Sequence, residues 1–168
     1  PYQQEGVRFL RRLAAWETGG VLADDMGLGK TVQAIAALLD RAALGPQLVL
    51  APTSVCFNWQ RELQRFAPSL RAMQLSDATT PEARAAAITA LGAGAVLVAG
   101  YALATQMSEL LVAKRFATLI LDEAQAVKNA DATDSQRVSV ALRQLKYDWY
   151  KGPQFYRKCD HQSVQPVV

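Results

Sequence analysis

Short apolar runs alternate along most of this chain with longer segments that have helical periodicity. The apolar runs fall at 20–23, 48–51, 71–75, 95–99 and 117–121. Most of them lack the polar alternation of a strand that has one solvent-exposed face. Such runs are typical of parallel strands that are buried on both faces. The pattern therefore predicts a parallel sheet.

The segments between these runs carry the period of amphipathic helices. Helices are predicted at 3–16, 31–44, 55–66, 81–91, 102–114 and 133–145. Ser54 suits the N-cap of the third helix, and Pro81 suits the first turn of the fourth. Steady alternation of strand and helix indicates right-handed βαβ units. The predicted fold class is α/β, with a parallel sheet flanked by helices.

Composition narrows the class of protein but does not identify a function. The chain has 168 residues, of which 51% are hydrophobic and 20% charged, and this balance favours one globular domain over a disordered chain. No apolar run approaches the roughly 20 residues that a transmembrane helix needs, so we expect no membrane partner. The net charge of +3 permits nucleic-acid binding without arguing for it.

A glycine-rich segment at 23–31 lies between a predicted strand and a predicted helix. Gly27 and Gly29 let the backbone curl so that its N–H groups surround a phosphate, at the positive end of the helix. Lys30 is expected to reach the β- and γ-phosphates, and Thr31 to be a ligand of Mg²⁺. Asp24 stands at the first glycine of the strict phosphate-loop pattern. An ordinary glycine-rich turn is the alternative, but it leaves the Lys-Thr pair unexplained.

Two adjacent acids follow the apolar run at 117–121. Because ligands bind at the carboxyl edge of such sheets, Asp122 and Glu123 are expected to lie in a ligand site. Asp122 is predicted to hold Mg²⁺, usually through water, and Glu123 to polarise the attacking water. The alternative is a helix start decorated with acids, which is common. Together with the glycine-rich segment, the acids predict an ATPase that uses Mg²⁺.

The sequence resembles the Swi/Snf-type ATPases of helicase superfamily two. The similar segments are 1–7, 22–33, 50–54 with Asn58, Trp59 and Glu62 after them, and 122–125 with Lys128 and Asn129 after them. The resemblance covers nearly everything from 1 to about 145. It implies an N-terminal RecA-like P-loop lobe, ATP and Mg²⁺ as cofactors, and movement along duplex DNA without strand separation.

The resemblance also implies roles for individual residues. Gln3 corresponds to the family's adenine-recognising glutamine. The residues expected to contact nucleotide are Gln3, Asp25, Met26, Gly27, Leu28, Gly29, Lys30 and Thr31, and those expected to act in hydrolysis are Lys30, Asp122 and Glu123. The residues expected to contact DNA are Pro52, Thr53, Ser54 and Tyr101. Ser54 as a plain helix cap is the alternative to its DNA contact. Gly100 stands where a hydroxyl residue is more usual, so one DNA contact is expected to be lost.

The segment 146–168 differs from the rest of the chain. It contains no alanine but five of the thirteen aromatic residues, and it has neither strand nor helix periodicity. We interpret residues 1–145 as the lobe and 146–168 as a tail foreign to it, with a native extension as the alternative. In the family that the sequence resembles, a Thr-Gly-Thr-Pro motif and a second RecA-like lobe follow the position that corresponds to 145. This sequence contains neither, so we expect the ATPase machinery to be incomplete.

This interpretation has two consequences. The resemblance places a central strand between the phosphate-loop strand and the acid-bearing strand, and that strand is expected to be missing. Either the tail pairs there, a partner chain does, or the lobe is loosely folded. Since the second lobe supplies arginines for phosphate transfer, the chain alone is expected to bind nucleotide weakly and to be nearly inactive.

Four functions compete at this stage. The leading one is half of a DNA-translocating motor, whose partners are double-stranded DNA, a second RecA-like lobe and nucleoprotein targets. The others are a nucleotide-gated DNA- or protein-binding module, a non-functional piece of an interrupted gene, and a P-loop ATPase unrelated to nucleic acid. The expected location is the cytoplasm, in association with the nucleoid, or the nucleus, with a bacterial-type cytoplasm favoured.

Overall fold

Helices and parallel strands alternate along the chain. The computed structural model describes residues 2–16, 18–22, 28–75 and 80–123, together with the backbone of 154–158. The helices are α1 (Tyr2–Ala15), α2 (Lys30–Asp40), α3 (Thr53–Phe66), α4 (Pro81–Thr89), α5 (Tyr101–Gln106) and α6 (Ser108–Ala113), with a 3₁₀ turn at Ala42–Leu44. The strands are β1 (Gly20–Leu22), β2 (Gln47–Ala51), β3 (Arg71–Gln74), β4 (Ala95–Gly100), β5 (Thr118–Leu121) and β6 (Gln154–Lys158).

The described strands form one six-stranded sheet in the order β1-β6-β5-β2-β4-β3. Every neighbouring pair is parallel. The register aligns the ends of the central strands: Leu50 of β2 pairs with Leu121 of β5 and with Ala99 of β4. The carboxyl ends of β5, β2 and β4 therefore lie side by side at one edge of the sheet.

Alternate residues of each central strand face opposite sides of the sheet, and both sides are covered. On β2, Leu48 and Leu50 belong to a core cluster with residues of α4, α5 and α6. Val49 and Ala51 belong to a second cluster with residues of α1, α2 and α3. Burial on both faces explains the near-continuous apolar runs. None of the helices in the described ranges combines the length and apolar character that a membrane crossing requires.

The predicted α/β class is confirmed, and the bounds of several predicted helices need correction. The helix predicted at 31–44 ends at Asp40 and continues as a 3₁₀ turn. The one predicted at 102–114 is two short helices that meet at Met107. Ala104, Met107 and Leu111, which lie before, at and after this break, all belong to one core cluster. The helix at 55–66 begins two residues earlier, at Thr53. The helix predicted at 133–145 lies outside the described residues.

The tail supplies a strand that its sequence did not predict. The backbone of Gln154–Lys158 pairs with β1 on one side and with β5 on the other. This is the central position that the resemblance left open, so the first of the three alternatives holds. Its sequence, Gln-Phe-Tyr-Arg-Lys, shows neither a period-2 pattern nor the apolar run that is typical of a central parallel strand, so only its pairing identifies it as one. The boundary at 145 stays a prediction.

Candidate functional site

The predicted site residues follow strands that end at the same edge of the sheet. β5 ends at Leu121, directly before Asp122 and Glu123. β2 ends one residue before Pro52, and β4 ends directly before Tyr101. β1, which leads to the glycine-rich segment, lies two strand positions from β5, a spacing of about 10 Å. The topology therefore brings to one edge the strand ends that precede the predicted phosphate-binding, metal-binding and DNA-binding segments.

The end of the glycine-rich segment turns sharply into α2. Gly29 has a left-handed backbone, with φ 73° and ψ 33°, and it immediately precedes the helix. Lys30 is the first helical residue and only 5% of it is exposed, whereas Thr31 is half-buried. The predicted nucleotide residues Asp25, Met26 and Gly27 lie outside the described residues.

The start of α1 is bound to the end of the glycine-rich segment. The side-chain amides of Gln3 and Gln33 both donate to the carbonyl oxygen of Leu28, at 3.4 and 3.5 Å. Glycines permit this approach, because a Cβ on Gly29 would collide with the Gln3 amide and one on Gly6 would collide with the Gln33 amide. The predicted adenine contact, Gln3, thus lies beside the residues predicted to surround the phosphates.

A groove of about 390 Å³ separates the exposed sides of α1 and α2. Its walls carry amides, aliphatic groups and guanidinium groups, from Gln3, Val7, Arg8, Arg11, Val32 and Gln33. Arg11 also forms a paired contact with the Asp40 carboxylate, at 2.6 and 2.9 Å. The Asp40 carboxylate beside it raises the pKa of Arg11. The groove therefore offers both apolar and cationic surface next to Gln3.

Asp122 is buried at the carboxyl end of β5, and other elements hold it in place. Only 1% of the residue is exposed. Its backbone N–H donates to the carbonyl of Leu50 at 2.8 Å, which extends the strand pairing by one residue. Its carboxylate oxygen Oδ2 accepts a hydrogen bond from the indole Nε1 of Trp59 at 2.7 Å. Asp122 is thus a fixed carboxylate at the edge where the ligand site is predicted.

Tyr101 is bonded to the same residue. Its hydroxyl donates to the backbone carbonyl of Asp122 at 2.7 Å, and only 8% of Tyr101 is exposed. The hydroxyl is therefore used inside the protein. A DNA contact by Tyr101 stays a prediction, and the structure gives this side chain an internal role that the sequence did not indicate.

Glu123 adopts an uncommon backbone conformation. Its φ is 49°, in the left-handed region that residues other than glycine rarely visit. Such conformations cost on the order of 1–3 kcal/mol and cluster at functional sites. The side chain is half-buried, next to Asp122. The turn at the end of β5 therefore orients Glu123, the predicted general base, through a strained backbone conformation.

The start of α3 has no side-chain cap among the described residues. Pro52 is its N-cap, so the prediction that Ser54 is the N-cap is wrong. Ser54 lies inside the first turn because the helix begins at Thr53, and both residues are exposed. Gly100 leaves space for Thr53, whose Oγ1 lies 2.6 Å from where a Cβ on Gly100 would stand. The helix start is thus open to an anion.

The donor set suits a metal ion that arrives with a nucleotide. Within the described ranges, no group of three or more His, Cys, Asp or Glu residues could hold a metal ion by itself. The Asp122 carboxylate and the Thr31 hydroxyl are oxygen donors, the kind that Mg²⁺ prefers. Mg²⁺ commonly takes one or two protein ligands and completes its shell with water and phosphate oxygens. The residues therefore fit Mg²⁺ bound together with ATP.

Two partners in this site were not foreseen. Trp59 was noted only as part of a resembling segment, and Gln33 only as the end of another, yet each bonds to a predicted site residue or its neighbour. The burial of Cys56, Trp59 and Leu63 on one face of α3 follows from helical spacing. The bond from Trp59 to Asp122 does not, because it joins residues 63 positions apart.

Comparisons with known proteins place the chain in a family. The family described as SNF2-related domain matches residues 2–148. The putative ATP-dependent helicase/translocase YwqA of Bacillus subtilis is 42% identical over 87% of this chain, and the match covers 16% of that protein. Helicase SWR1 of Saccharomyces cerevisiae is 36% identical over 79% of this chain and 9% of that protein.

A solved structure agrees with the sequence matches. The Sulfolobus solfataricus SWI2/SNF2 ATPase core in complex with dsDNA shares 29% identity and a TM-score of 0.69, over 98% of this chain and 32% of that one. The chain therefore spans a minor part of each of these three proteins. By the family match and by the fold, the chain belongs to the SNF2-related domain family, within helicase superfamily two.

Proposed function

We propose that the chain is the ATP-binding lobe of a DNA-dependent ATPase that translocates on double-stranded DNA. The observation that carries the proposal is the meeting, at one sheet edge, of the Gly29 turn into α2, the buried Asp122 and the uncapped start of α3. Each feature suits one ligand of such a motor: a triphosphate, its magnesium and a DNA backbone. Membership of the SNF2-related family supports all three.

The chain's own residues divide the work on ATP between two strand ends. Backbone N–H groups at the start of α2 bind phosphate oxygens, and Lys30 pairs with their charge. Asp122 and Thr31 would hold Mg²⁺, which when bound would neutralise charge on the phosphate oxygens. Glu123 accepts a proton from the attacking water, since it lies beside Asp122 at the end of β5. This arrangement fits hydrolysis of the terminal phosphate.

The groove between α1 and α2 is the proposed adenine site. The Gln3 amide lies at its wall and also contacts the end of the phosphate-binding segment. A side-chain amide can donate to and accept from the edge of a base at the same time. Aliphatic parts of Val7 and Val32 offer surface for its ring. The adenine and the phosphates would then contact neighbouring parts of the chain.

The start of α3 is the proposed DNA-backbone site. Its uncapped N–H groups and the exposed hydroxyls of Thr53 and Ser54 are donors suited to a phosphate. Such contacts position a protein on DNA without reading its sequence. A relative solved in complex with dsDNA supports this choice of nucleic acid. A second RecA-like lobe and nucleoprotein targets are further proposed partners, in a bacterial-type cytoplasm or a nucleus.

The proposal is tested by ATP affinity in the presence of Mg²⁺, with and without duplex DNA. Lys30→Ala is expected to weaken ATP binding about 10-fold or more, since it removes a charge-assisted bond. Arg115→Ala is a matched control, because it removes one positive charge from an exposed residue just before β5, at the opposite edge of the sheet. The control is expected to bind ATP as the wild type does.

DNA provides the second arm of this test. For a motor lobe, saturating duplex DNA is expected to tighten ATP binding by the wild type. An ATP affinity that is the same with and without duplex DNA would support a P-loop ATPase unrelated to nucleic acid. Equal ATP affinity in Lys30→Ala and the wild type would contradict the proposed site.

A further inference from the structure

Two helices each make one hydrogen bond to Asp122, one to its side chain and one to its backbone. Trp59 of α3 donates to its carboxylate at 2.7 Å, and Tyr101 of α5 donates to its backbone carbonyl at 2.7 Å. All three residues are buried, with 1%, 8% and 1% exposed for Trp59, Tyr101 and Asp122. Hydrogen bonds that water cannot reach are strong and directional. The position of this carboxylate therefore depends on both helices.

Both helices begin at the sheet edge where the proposed DNA contacts lie. Trp59 is six residues from Thr53 along α3, a distance of about 9 Å. Tyr101 is the first residue of α5 and follows Gly100, whose missing side chain makes room for Thr53. A phosphate bound at the start of α3 would therefore shift two parts of the chain: the helix that carries Trp59 and the turn that carries Tyr101.

The α3 helix can transmit such a shift as one body. Cys56, Trp59 and Leu63 pack its inner face into the core cluster beside β2 and β4. Close-packed interiors move in concert rather than deform continuously. A small tilt of α3 therefore changes the distance from the Trp59 indole to the Asp122 carboxylate. Groups that bond to a metal ligand from behind set its orientation and its affinity for the ion.

We propose that Trp59 and Tyr101 are positioning residues that couple DNA binding at the start of α3 to Mg-ATP binding at Asp122. The inference rests on the proposed function and adds the route between its two ligands. Coupling of this kind is reciprocal: DNA tightens Mg-ATP binding by the same factor by which Mg-ATP tightens DNA binding. In this scheme both side chains act through Asp122, by their bonds to its carboxylate and to its backbone carbonyl.

The test measures the coupling ratio, which is Mg-ATP affinity with saturating duplex DNA divided by the affinity without it. Tyr101→Phe removes one hydroxyl and keeps the ring, and Trp59→Phe removes the indole donor. Leu63→Ala is the control, because it removes buried packing from the same helix and cluster but no hydrogen bond. The wild-type ratio is expected to be about 5 or more, a typical allosteric coupling. Both bond-removing variants are expected to bring it close to 1, and Leu63→Ala to keep it despite a lower Tm.

A spectroscopic arm separates positioning from mere stability. The indole N–H proton of Trp59 is expected to resonate downfield in the wild type, to move when Mg-ATP and DNA bind, and to move in Asp122→Asn. If Tyr101→Phe and Trp59→Phe both keep the coupling ratio of a wild type that shows coupling, the inference is wrong and the proposed function stands. If Leu63→Ala loses the coupling equally, the inference also falls. If the wild type binds no Mg-ATP, both fall. Should Trp59→Phe fail to fold, Tyr101→Phe alone decides.

Discussion

The side-chain amide of Gln3 occupies the space that a Cβ on Gly29 would take. Gly29 therefore serves two purposes, because its left-handed backbone turns the chain into α2 and its missing side chain admits Gln3. The predicted adenine contact and the predicted phosphate-binding turn are thereby fixed to each other. A change at one is expected to disturb the other.

Gly29→Ala is expected to destabilise the chain and to weaken ATP binding. A left-handed alanine costs roughly 1–2 kcal/mol, and the added methyl group displaces the Gln3 amide. Thermal denaturation and ATP titration measure the two effects. Gly92→Ala is the matched control, since no described atom lies within 4 Å of its Cβ position and its φ is not left-handed. Equal Tm values for the two variants would refute this account of Gly29.

Gly6→Ala is expected to have opposite effects in two backgrounds. Alanine favours a helix over glycine by up to about 1 kcal/mol, but in the wild type its methyl group would collide with the buried Gln33 amide. Displacing that amide breaks its bond to the Leu28 carbonyl, and a buried amide left without a partner costs roughly 1–3 kcal/mol. Net destabilisation is expected in the wild type, and net stabilisation in a Gln33→Ala background. Urea denaturation of the four chains measures both, and the same sign in both backgrounds would contradict the packing.

Cys56 is expected to react slowly with alkylating agents while the chain is folded. Burial raises the pKa of its thiol, and the negative charge of Asp122 raises it further. Because the thiolate is the reactive form, a raised pKa leaves less of it at pH 8. Iodoacetamide labelling read by peptide mass spectrometry should modify Cys56 quickly only in denaturant. If Cys56 in the folded chain were labelled at the rate of an exposed thiol, its predicted burial beside Asp122 would be wrong.

The fold was more predictable from the sequence than the contacts of the site. Residues of β2 and β5 were recognisable because central parallel strands are apolar throughout, and their predicted bounds are correct to within a residue. The break at Met107 was missed because neither a proline nor a glycine marks it in the sequence. β6 was missed because its own sequence carries no strand pattern. It is recognisable as a strand only from its pairing with β1 and β5.

The candidate site shows the same limit. Local spacing made Lys30, Thr31 and Asp122 candidates, since Lys30 and Thr31 open a helix and Asp122 follows a strand, and their roles stay predictions. The interpretation of Ser54 as a cap was wrong because α3 begins at Thr53, with Pro52 as its N-cap, so Ser54 lies inside the first turn. The bonds to Asp122 from Trp59 and Tyr101 join distant segments. Only the assembled sheet brings them together.

The 168-residue chain on its own is expected to hydrolyse ATP very slowly. In the family that it resembles, arginines from a second lobe stabilise the transferring phosphate, and a missing arginine of this kind costs on the order of a thousand-fold in rate. Phosphate release with and without duplex DNA measures this directly. Addition of a separately produced second lobe is expected to raise the rate. Brisk DNA-stimulated turnover by the chain alone would contradict the expectation.

The account depends most on Asp122 and the start of α2 sharing one Mg-ATP. The decisive measurement is ATP affinity as a function of Mg²⁺ in the wild type and in Asp122→Asn. Asparagine keeps an acceptor for the Trp59 indole, so the fold is expected to persist. The account predicts that Mg²⁺ tightens ATP binding several-fold in the wild type and hardly at all in the variant. The same Mg²⁺ dependence in both proteins would contradict it.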